Sequence, residues 1–250
     1  TALNNMFRTT GVGLFVGALA PTLIGLTTQV EIPWRLTMAT TAAVIGAIAL
    51  FLIPDLEARP EPEDKLGKIV WDKPILYIFF FAFLAITMEV SLSAWALDLL
   101  TDRGASVKVA ILFATVGPYF VALTRIYLST KNEFNLHRIW NFAVVAISIG
   151  TLIIIFSGSP QLTILGLIIA AIGIGPCAAI AIANASACTQ GSDRGIAVFT
   201  IGMGLSMGAS PWIMGLISEA FGFAAAYSVI LVALVASTYL FKSINRVKVI

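Results

Sequence analysis

Long apolar runs, separated by short polar stretches, set the pattern of this sequence. Each run is about 20 residues long, which as an α-helix crosses the roughly 30 Å hydrocarbon core of a bilayer. The runs are continuous, which favours membrane helices over the short alternating strands of a barrel. The runs cover residues 11–29, 34–53, 75–100, 107–128, 139–156, 162–188, 195–218 and 223–241. The pattern therefore predicts an all-α membrane protein with eight transmembrane helices.

One long polar segment, residues 54–73, interrupts the apolar pattern. It is charged, contains Pro60 and Pro62, and lacks apolar periodicity, as linkers between domains do. The predicted division is therefore 1–53 with two helices, a linker at 54–73, and 74–250 with six helices.

The composition agrees with a lipid environment. Of the 250 residues, 59% are hydrophobic and 11% are charged, whereas soluble domains are about 25% charged. The net charge of +2 gives no reason to expect a nucleic-acid partner. His137 is the one histidine in the sequence, and Cys177 and Cys188 lie in one apolar run as small packing residues. We therefore expect the lipid bilayer as a partner, no cofactor or metal, and no enzyme activity.

Lysines and arginines are distributed unevenly between the two ends of the runs. If the chain enters from the cytoplasm, 12 of the 15 fall on the cytoplasmic side and Arg35, Arg103 and Lys108 on the other. The cytoplasmic set comprises Arg8, Arg59, Lys65, Lys68, Lys73, Arg125, Lys131, Arg138, Arg194, Lys242, Arg246 and Lys248. Cytoplasmic segments of membrane proteins carry an excess of these residues, so the bias predicts that both ends of the chain are cytoplasmic.

Small residues recur at helical spacing in two of the runs. They lie four apart at Gly13, Gly17, Pro21 and Gly25, and again at Ala171, Gly175, Ala179, Ala183 and Ala187. Such stripes let helix backbones approach closely in membranes. Residues 21–26 also match residues 211–216 in a Pro-x-x-x-Gly pattern, and one large class of transporters is built from parallel repeats between its two halves.

The glycine-rich runs that contain these patterns, at residues 17–25 and 208–215, resemble helices five and eleven of the major facilitator superfamily. The pair Trp34 and Arg35 is similar to that family's opening of helix six, and residues 54–73 to its cytoplasmic linker. The resemblance implies the last two helices of the first half and a complete six-helix second half, in an inner or plasma membrane. The chain begins at Thr1, and we expect it to be a piece of a longer product. The first four helices of that product would be partners that this chain lacks.

The resemblance has one departure. Family members often carry a Gly-Arg-x-x-Gly-Asp-Arg type motif after helix eight, and the matching residues 124–131 retain Arg125 alone. The gating role of that motif is therefore not carried over to this chain.

Glu89 lies in the middle of the run 75–100, where an ionisable group costs roughly 2.5–3.5 kcal/mol on insertion scales. Ser93 shares its helix face, whereas Trp95 lies on another face. The resemblance implies that this helix and the run 162–188 line a central cavity, which adds Asn184. The candidate substrate- or proton-binding residues are therefore Glu89, Ser93, Trp95 and Asn184.

Each candidate has a structural alternative. Burial disfavours the charged form of a carboxylic acid, so Glu89 could carry a proton in step with a substrate. Alternatively, it could stay protonated and hydrogen-bonded to a neighbouring helix. Trp95 is alternatively a packing or interface residue, and Asn184 a polar contact between helices. Asp98 and Arg103 are expected at the outer rim as a solvated pair.

The sequence favours a secondary active transporter of a small solute, working by alternating access between two helical halves. No histidine cluster or convincing pair of acids indicates an integral-membrane enzyme, and no phosphate-binding loop indicates an ATPase. The alternatives left open are an enzyme, a permease subunit driven by a separate ATPase, and a non-transporting fragment. An apolar pathway with one acid fits a cationic or amphipathic solute, and a few polar groups permit a sugar.

Overall fold

A computed structural model describes residues 71–131, 135–189 and 193–247, with side chains for all of these except 193 and 245–247. The two helices predicted in residues 1–53, and the linker up to residue 70, lie outside this part of the chain. Within it, all regular structure is helical. The segments are α1 (Lys73–Ala94), α2 (Ala96–Asp102), α3 (Val107–Ala114), α4 (Val116–Ser129), α5 (Leu136–Phe156), α6 (Pro160–Ile174), α7 (Cys177–Cys188), α8 (Asp193–Phe221), α9 (Phe223–Ala226) and α10 (Ser228–Val247).

Six helices in the described ranges are long and apolar enough to cross a membrane. They are Lys73–Ala94, Val107–Ser129, Leu136–Phe156, Pro160–Cys188, Arg194–Phe221 and Phe223–Ile244. The prediction of an all-helical fold is confirmed, and the six helices identify an integral membrane protein. The total of eight helices and the major facilitator arrangement stay predictions.

Polar residues just before the helices fix where several of them start. The Asp72 carboxylate accepts a hydrogen bond from the Ile75 amide at 3.0 Å, and the Asn135 side chain accepts one from the Arg138 amide at 3.0 Å. Ser106 and Ser159 cap α3 and α6 in the same way. Such caps satisfy amide groups that the first helical turn leaves without a partner, which is why the polar turns of the sequence mark the boundaries.

Several of the long helices are interrupted. The helix predicted at 75–100 breaks at Trp95, between α1 and α2. A break at Thr115 separates α3 from α4, close to the kink predicted at Gly117 and Pro118. Gly175 and Pro176 separate α6 from α7, because proline lacks the amide hydrogen that would continue the helix.

Helix α1 lies at the centre of the described bundle and packs against α6, α7, α8 and α10. One end of its core is aromatic: the Trp140 ring of α5 stacks on the Phe241 ring of α10 with centroids 4.8 Å apart. Phe81 of α1 packs against both rings. The fold therefore places the helix that carries Glu89 where it contacts most of its neighbours.

Helix backbones approach each other closely at several glycines. A side chain on Gly150 of α5 would put its first carbon 2.3 Å from the Ala170 amide nitrogen of α6. At Gly202 of α8 the same carbon would lie 2.8 Å from the Phe79 carbonyl oxygen of α1. Small residues at these positions allow the close approach that stabilises helix pairs in lipid.

Candidate functional site

A cavity of about 490 Å³ lies between α1, α4, α7 and α8. Most of its lining is apolar, and its polar groups are Glu89, Ser93 and Arg125. The apolar lining consists of Ile86, Val90, Leu92, Pro118, Val121, Ala178, Ile182, Phe199, Met203 and Met207. A volume of this size falls in the range of small-molecule sites, about 300–1,000 Å³.

An ion pair joins two helices across the cavity wall. The Arg125 guanidinium of α4 donates to the Glu89 carboxylate of α1, with Nη2 and Oε2 at 2.5 Å. The Arg125 side chain is 6% exposed and the Glu89 side chain 18% exposed. Both charges are therefore largely removed from solvent, and the carboxylate keeps a face on the cavity.

The same guanidinium also binds the backbone where α6 breaks into α7. Arg125 Nε donates to the Gly175 carbonyl oxygen at 2.9 Å. Helix α7 uses the Pro176 carbonyl as its first acceptor, from the Ile180 amide at 3.0 Å, so the Gly175 carbonyl is left for another donor. Arg125 therefore links α4, α1 and the break between α6 and α7.

Helical spacing explains how the lining residues come together. On α1, Glu89 and Ser93 are four residues apart and therefore share one face. On α4, Pro118, Val121 and Arg125 follow each other at steps of three and four, which also places them on one face. Since these two faces meet at the cavity, a regular helix is sufficient to bring the charges into contact.

The structure brings together two of the four residues that the sequence indicated as a site. Glu89 and Ser93 both line the cavity, and the Ser93 hydroxyl donates to the Val90 carbonyl oxygen at 3.3 Å. Asn184 is buried within α7 and is not among the lining residues; α7 contributes Ala178 and Ile182 instead. The burial of Asn184 agrees with the alternative of a polar residue inside the bundle.

Trp95 lies at the break after α1 and points to another part of the bundle. Its indole Nε1 donates to the Pro211 carbonyl oxygen of α8 at 3.1 Å, and its ring packs on Phe223 with centroids 6.1 Å apart. A side chain on Gly215 would put its first carbon 3.3 Å from the indole ring. Trp95 therefore attaches α1 to α8, which matches the packing alternative.

Arg125 is the site residue that sequence reasoning missed. Its position near the end of the run 107–128 predicts that it is one of the cytoplasmic charges. In the structure it is buried, which leaves eleven predicted cytoplasmic charges against three on the other side. The signal in the sequence is the unpaired acid on another run, because the spacing of Arg125 from Val121 and Pro118 places it on one face of α4 without specifying which helix that face meets.

Arg103, predicted in a solvated pair with Asp98, is instead half-buried between helices. Its guanidinium donates to the Ser157 hydroxyl at 2.5 Å, to the Thr163 hydroxyl and to the Ile154 carbonyl oxygen. Burial lowers the pKa of Arg103 below its ordinary value. Arg103 therefore fastens the segment after α2 to the ends of α5 and α6.

In the described ranges, no group of three histidine, cysteine, aspartate or glutamate side chains is placed to hold a metal ion. Cys177 and Cys188 form no disulfide in the described part of the chain, and Cys177 is buried. Both lie on α7, at its two ends.

No protein-family model matches the sequence, and no curated protein matches it. The resemblance to the major facilitator superfamily therefore depends on the sequence pattern alone.

Proposed function

We propose that this chain is the larger part of a secondary active transporter of a small solute, built as in the major facilitator superfamily. The observation that carries the proposal is the Glu89–Arg125 ion pair on the wall of a cavity of about 490 Å³ inside a membrane bundle. Ionisable groups within membrane helices are costly, and those that face a cavity mark substrate or ion pathways. The pair has both properties.

The lining of the cavity indicates the class of solute. Its polar groups are Glu89, Ser93 and Arg125, and the rest of the surface is aliphatic, aromatic or thioether. Because Glu89 and Arg125 neutralise each other, the cavity offers one dipolar group on an apolar surface. Met203 and Met207 add flexible side chains that adapt to different shapes. This lining favours a small amphipathic solute over a sugar, which would need many hydrogen-bonding groups.

The ion pair also provides a way to couple solute movement to a proton. A proton that arrives from the cavity adds to the Glu89 carboxylate and removes its charge. The hydrogen bond from Arg125 to the Gly175 carbonyl does not involve that carboxylate and remains. Proton binding would thus release α1 from α4 while α4 stays attached to the break between α6 and α7.

The wider architecture is part of the proposal. The six described spans would form the second half, residues 1–53 the last two helices of the first half, and four further helices would complete it. Both ends of the chain would be cytoplasmic in an inner or plasma membrane. Because one wall of the central pathway would be absent, we expect that the 250-residue chain alone does not transport. Uptake of solute by liposomes that contain this chain alone would contradict that expectation.

The transport proposal is tested with the gene product that includes any segment encoded upstream of Thr1. Liposomes loaded with a pH-sensitive dye would contain this product, and the probe would be a panel of amphipathic cations with ethidium as the first member. We expect a proton signal upon solute addition that Glu89→Gln abolishes. Glu219→Gln is the matched control, because Glu219 is exposed at the end of α8.

A second pair of variants tests the cavity itself. Met203→Trp would fill part of the cavity, whereas Ile201→Trp adds the same ring to an exposed position on the same helix. Loss of uptake in the first variant and not in the second is expected. A proton signal that Glu89→Gln leaves unchanged would refute the role of Glu89 in proton coupling. Equal uptake by both tryptophan variants would exclude this cavity as the pathway of the solute.

A further inference from the structure

A second cavity, of about 460 Å³, lies between α4, α5 and α6 and shares no lining residue with the first. We call it the α4–α5 groove. Its lining consists of Phe120, Leu123, Thr124, Tyr127, Leu128, Arg138, Ile139, Phe142, Ile172 and Pro176. The lining is apolar except for a threonine, a tyrosine and an arginine, and none of the described lining residues is acidic.

The groove opens on the outer surface of the bundle. Leu123 is 46% exposed, Tyr127 60% and Phe142 56%. Because six helices in the described ranges are long and apolar enough to cross a membrane, we expect these exposed apolar side chains to contact lipid. The distance along α4 from Phe120 to Tyr127 is about 10 Å at a rise of about 1.5 Å per residue. The groove therefore has the length of a segment of an acyl chain.

Cationic groups lie at one end of the groove, where α4 ends and α5 begins. Arg138 is exposed, and its guanidinium has no hydrogen bond or ion pair with a described residue. The Lys131 ammonium lies 4.5 Å from the centroid of the Tyr127 ring. Helix α5 has 21 residues and spans about 30 Å, close to the hydrocarbon thickness, so its first turn lies at the membrane surface.

We propose that the α4–α5 groove binds an anionic phospholipid, with its phosphate on Arg138 and one acyl chain along Leu123 and Phe142. The charge of the groove end complements a phosphate, and its apolar length complements the chain. Basic pockets between membrane helices bind anionic lipid headgroups in this way. The inner end of the groove reaches Pro176, next to the Gly175 carbonyl that Arg125 binds, so the lipid contacts the helix break of the candidate site.

The test uses the purified chain in a mild detergent. Dioleoylphosphatidylglycerol and dioleoylphosphatidylcholine are added separately, and bound lipid is counted by native mass spectrometry together with the melting temperature. Wild type is expected to prefer phosphatidylglycerol. Arg138→Gln is expected to weaken its binding about fivefold, the effect of one surface cation on an anionic lipid. Arg138→Lys should keep most of the preference, and Arg194→Gln is the matched control because Arg194 is exposed and does not line the groove.

Two further arms separate the headgroup from the acyl chain. Glycerol 3-phosphate, which has the phosphate and no chain, is expected to leave the melting temperature unchanged. Leu123→Trp narrows the groove and should reduce phosphatidylglycerol binding, whereas Val145→Trp, at an exposed position of α5 outside the groove, should not. Equal binding of the two lipids by wild type would overturn the proposal. So would equal losses in Arg138→Gln and Arg194→Gln, or occupation of the groove by another segment of this chain.

Discussion

Replacing Glu89 by glutamine removes one charge of the buried pair and nearly preserves its shape. Arg125 then stays 6% exposed with a full positive charge and without its carboxylate at 2.5 Å. Breaking a buried ion pair from one side costs about 3–5 kcal/mol, because the other charge is left uncompensated. The Glu89 side chain is 18% exposed, so the pair is not completely buried. We therefore expect Glu89→Gln to lower the free energy of unfolding by about 3 kcal/mol, the lower end of this range.

The double variant Glu89→Gln, Arg125→Gln separates the ion pair from other contributions. Arg125→Gln alone also loses the hydrogen bond to the Gly175 carbonyl, so both single variants are expected to be destabilised. In the double variant no charge is left unpaired. Its cost should therefore be smaller than the sum of the single costs by about 1 kcal/mol or more, as found for directly contacting residues.

The assay is the unfolding midpoint of the chain in mixed micelles of a mild detergent and sodium dodecyl sulfate. Glu219→Gln provides the control for the chemical change, because Glu219 is exposed, and it should leave the midpoint unchanged. The reasoning is refuted if Glu89→Gln costs no more than Glu219→Gln. It is equally refuted if the double variant costs the full sum of the two single variants, which would mean that the two side chains are energetically independent.

Three further predictions concern packing and access. Gly150→Ala should destabilise the chain by about 1–3 kcal/mol through overpacking against α6, while Gly208→Ala, with open space around it, should not lower the unfolding midpoint. In a background without native cysteines, Ser93→Cys should react with a small water-soluble maleimide at least tenfold faster than Ser91→Cys, because position 93 lines the cavity and position 91 is fully buried. Trp95→Phe keeps an aromatic ring and removes the indole donor, so it should cost about 1 kcal/mol in the same unfolding assay.

Much of the helical layout follows from the sequence because lipid imposes strong rules on it. The run predicted at 139–156 corresponds to α5, which begins three residues earlier because Asn135 caps it. The effect of a proline on a helix is harder to predict from the sequence. Pro176 lies at a break, whereas Pro211 lies inside the continuous helix α8. The same residue type gives different outcomes since neighbouring helices supply or withhold partners for the freed backbone groups.

Part of the candidate site could be predicted from the sequence, because residues on one helix face are set by local spacing while contacts between helices are not. Glu89 and Ser93 follow from their shared helix face, which is a local property of the sequence. Arg125 depends on how α4 is rotated against α1, which no spacing within one helix can specify. Trp95 and Asn184 are residue types that can bind a solute. In the structure, tertiary packing directs Trp95 toward a neighbouring helix and Asn184 into the bundle interior.

The two sides of α1 differ in how firmly they are attached, and this difference bears on any movement of the bundle. Toward α8, the Thr87 hydroxyl pairs with that of Ser206 at 2.9 Å, and the Ser210 hydroxyl donates to Thr87 at 3.2 Å. With the close contact at Gly202 and the indole bond of Trp95, these anchors extend along most of α1.

Toward α4, the corresponding attachments are few. Gly117 faces Leu92, where an added carbon would lie 3.3 Å from the leucine side chain, and Arg125 binds Glu89 beside the cavity. A displacement that opened the cavity would therefore keep α1 with α8 and separate it from α4. The ion pair is the strongest contact that such a displacement must break, so the charge state of Glu89 is where a bound proton or solute would have the greatest effect on the movement.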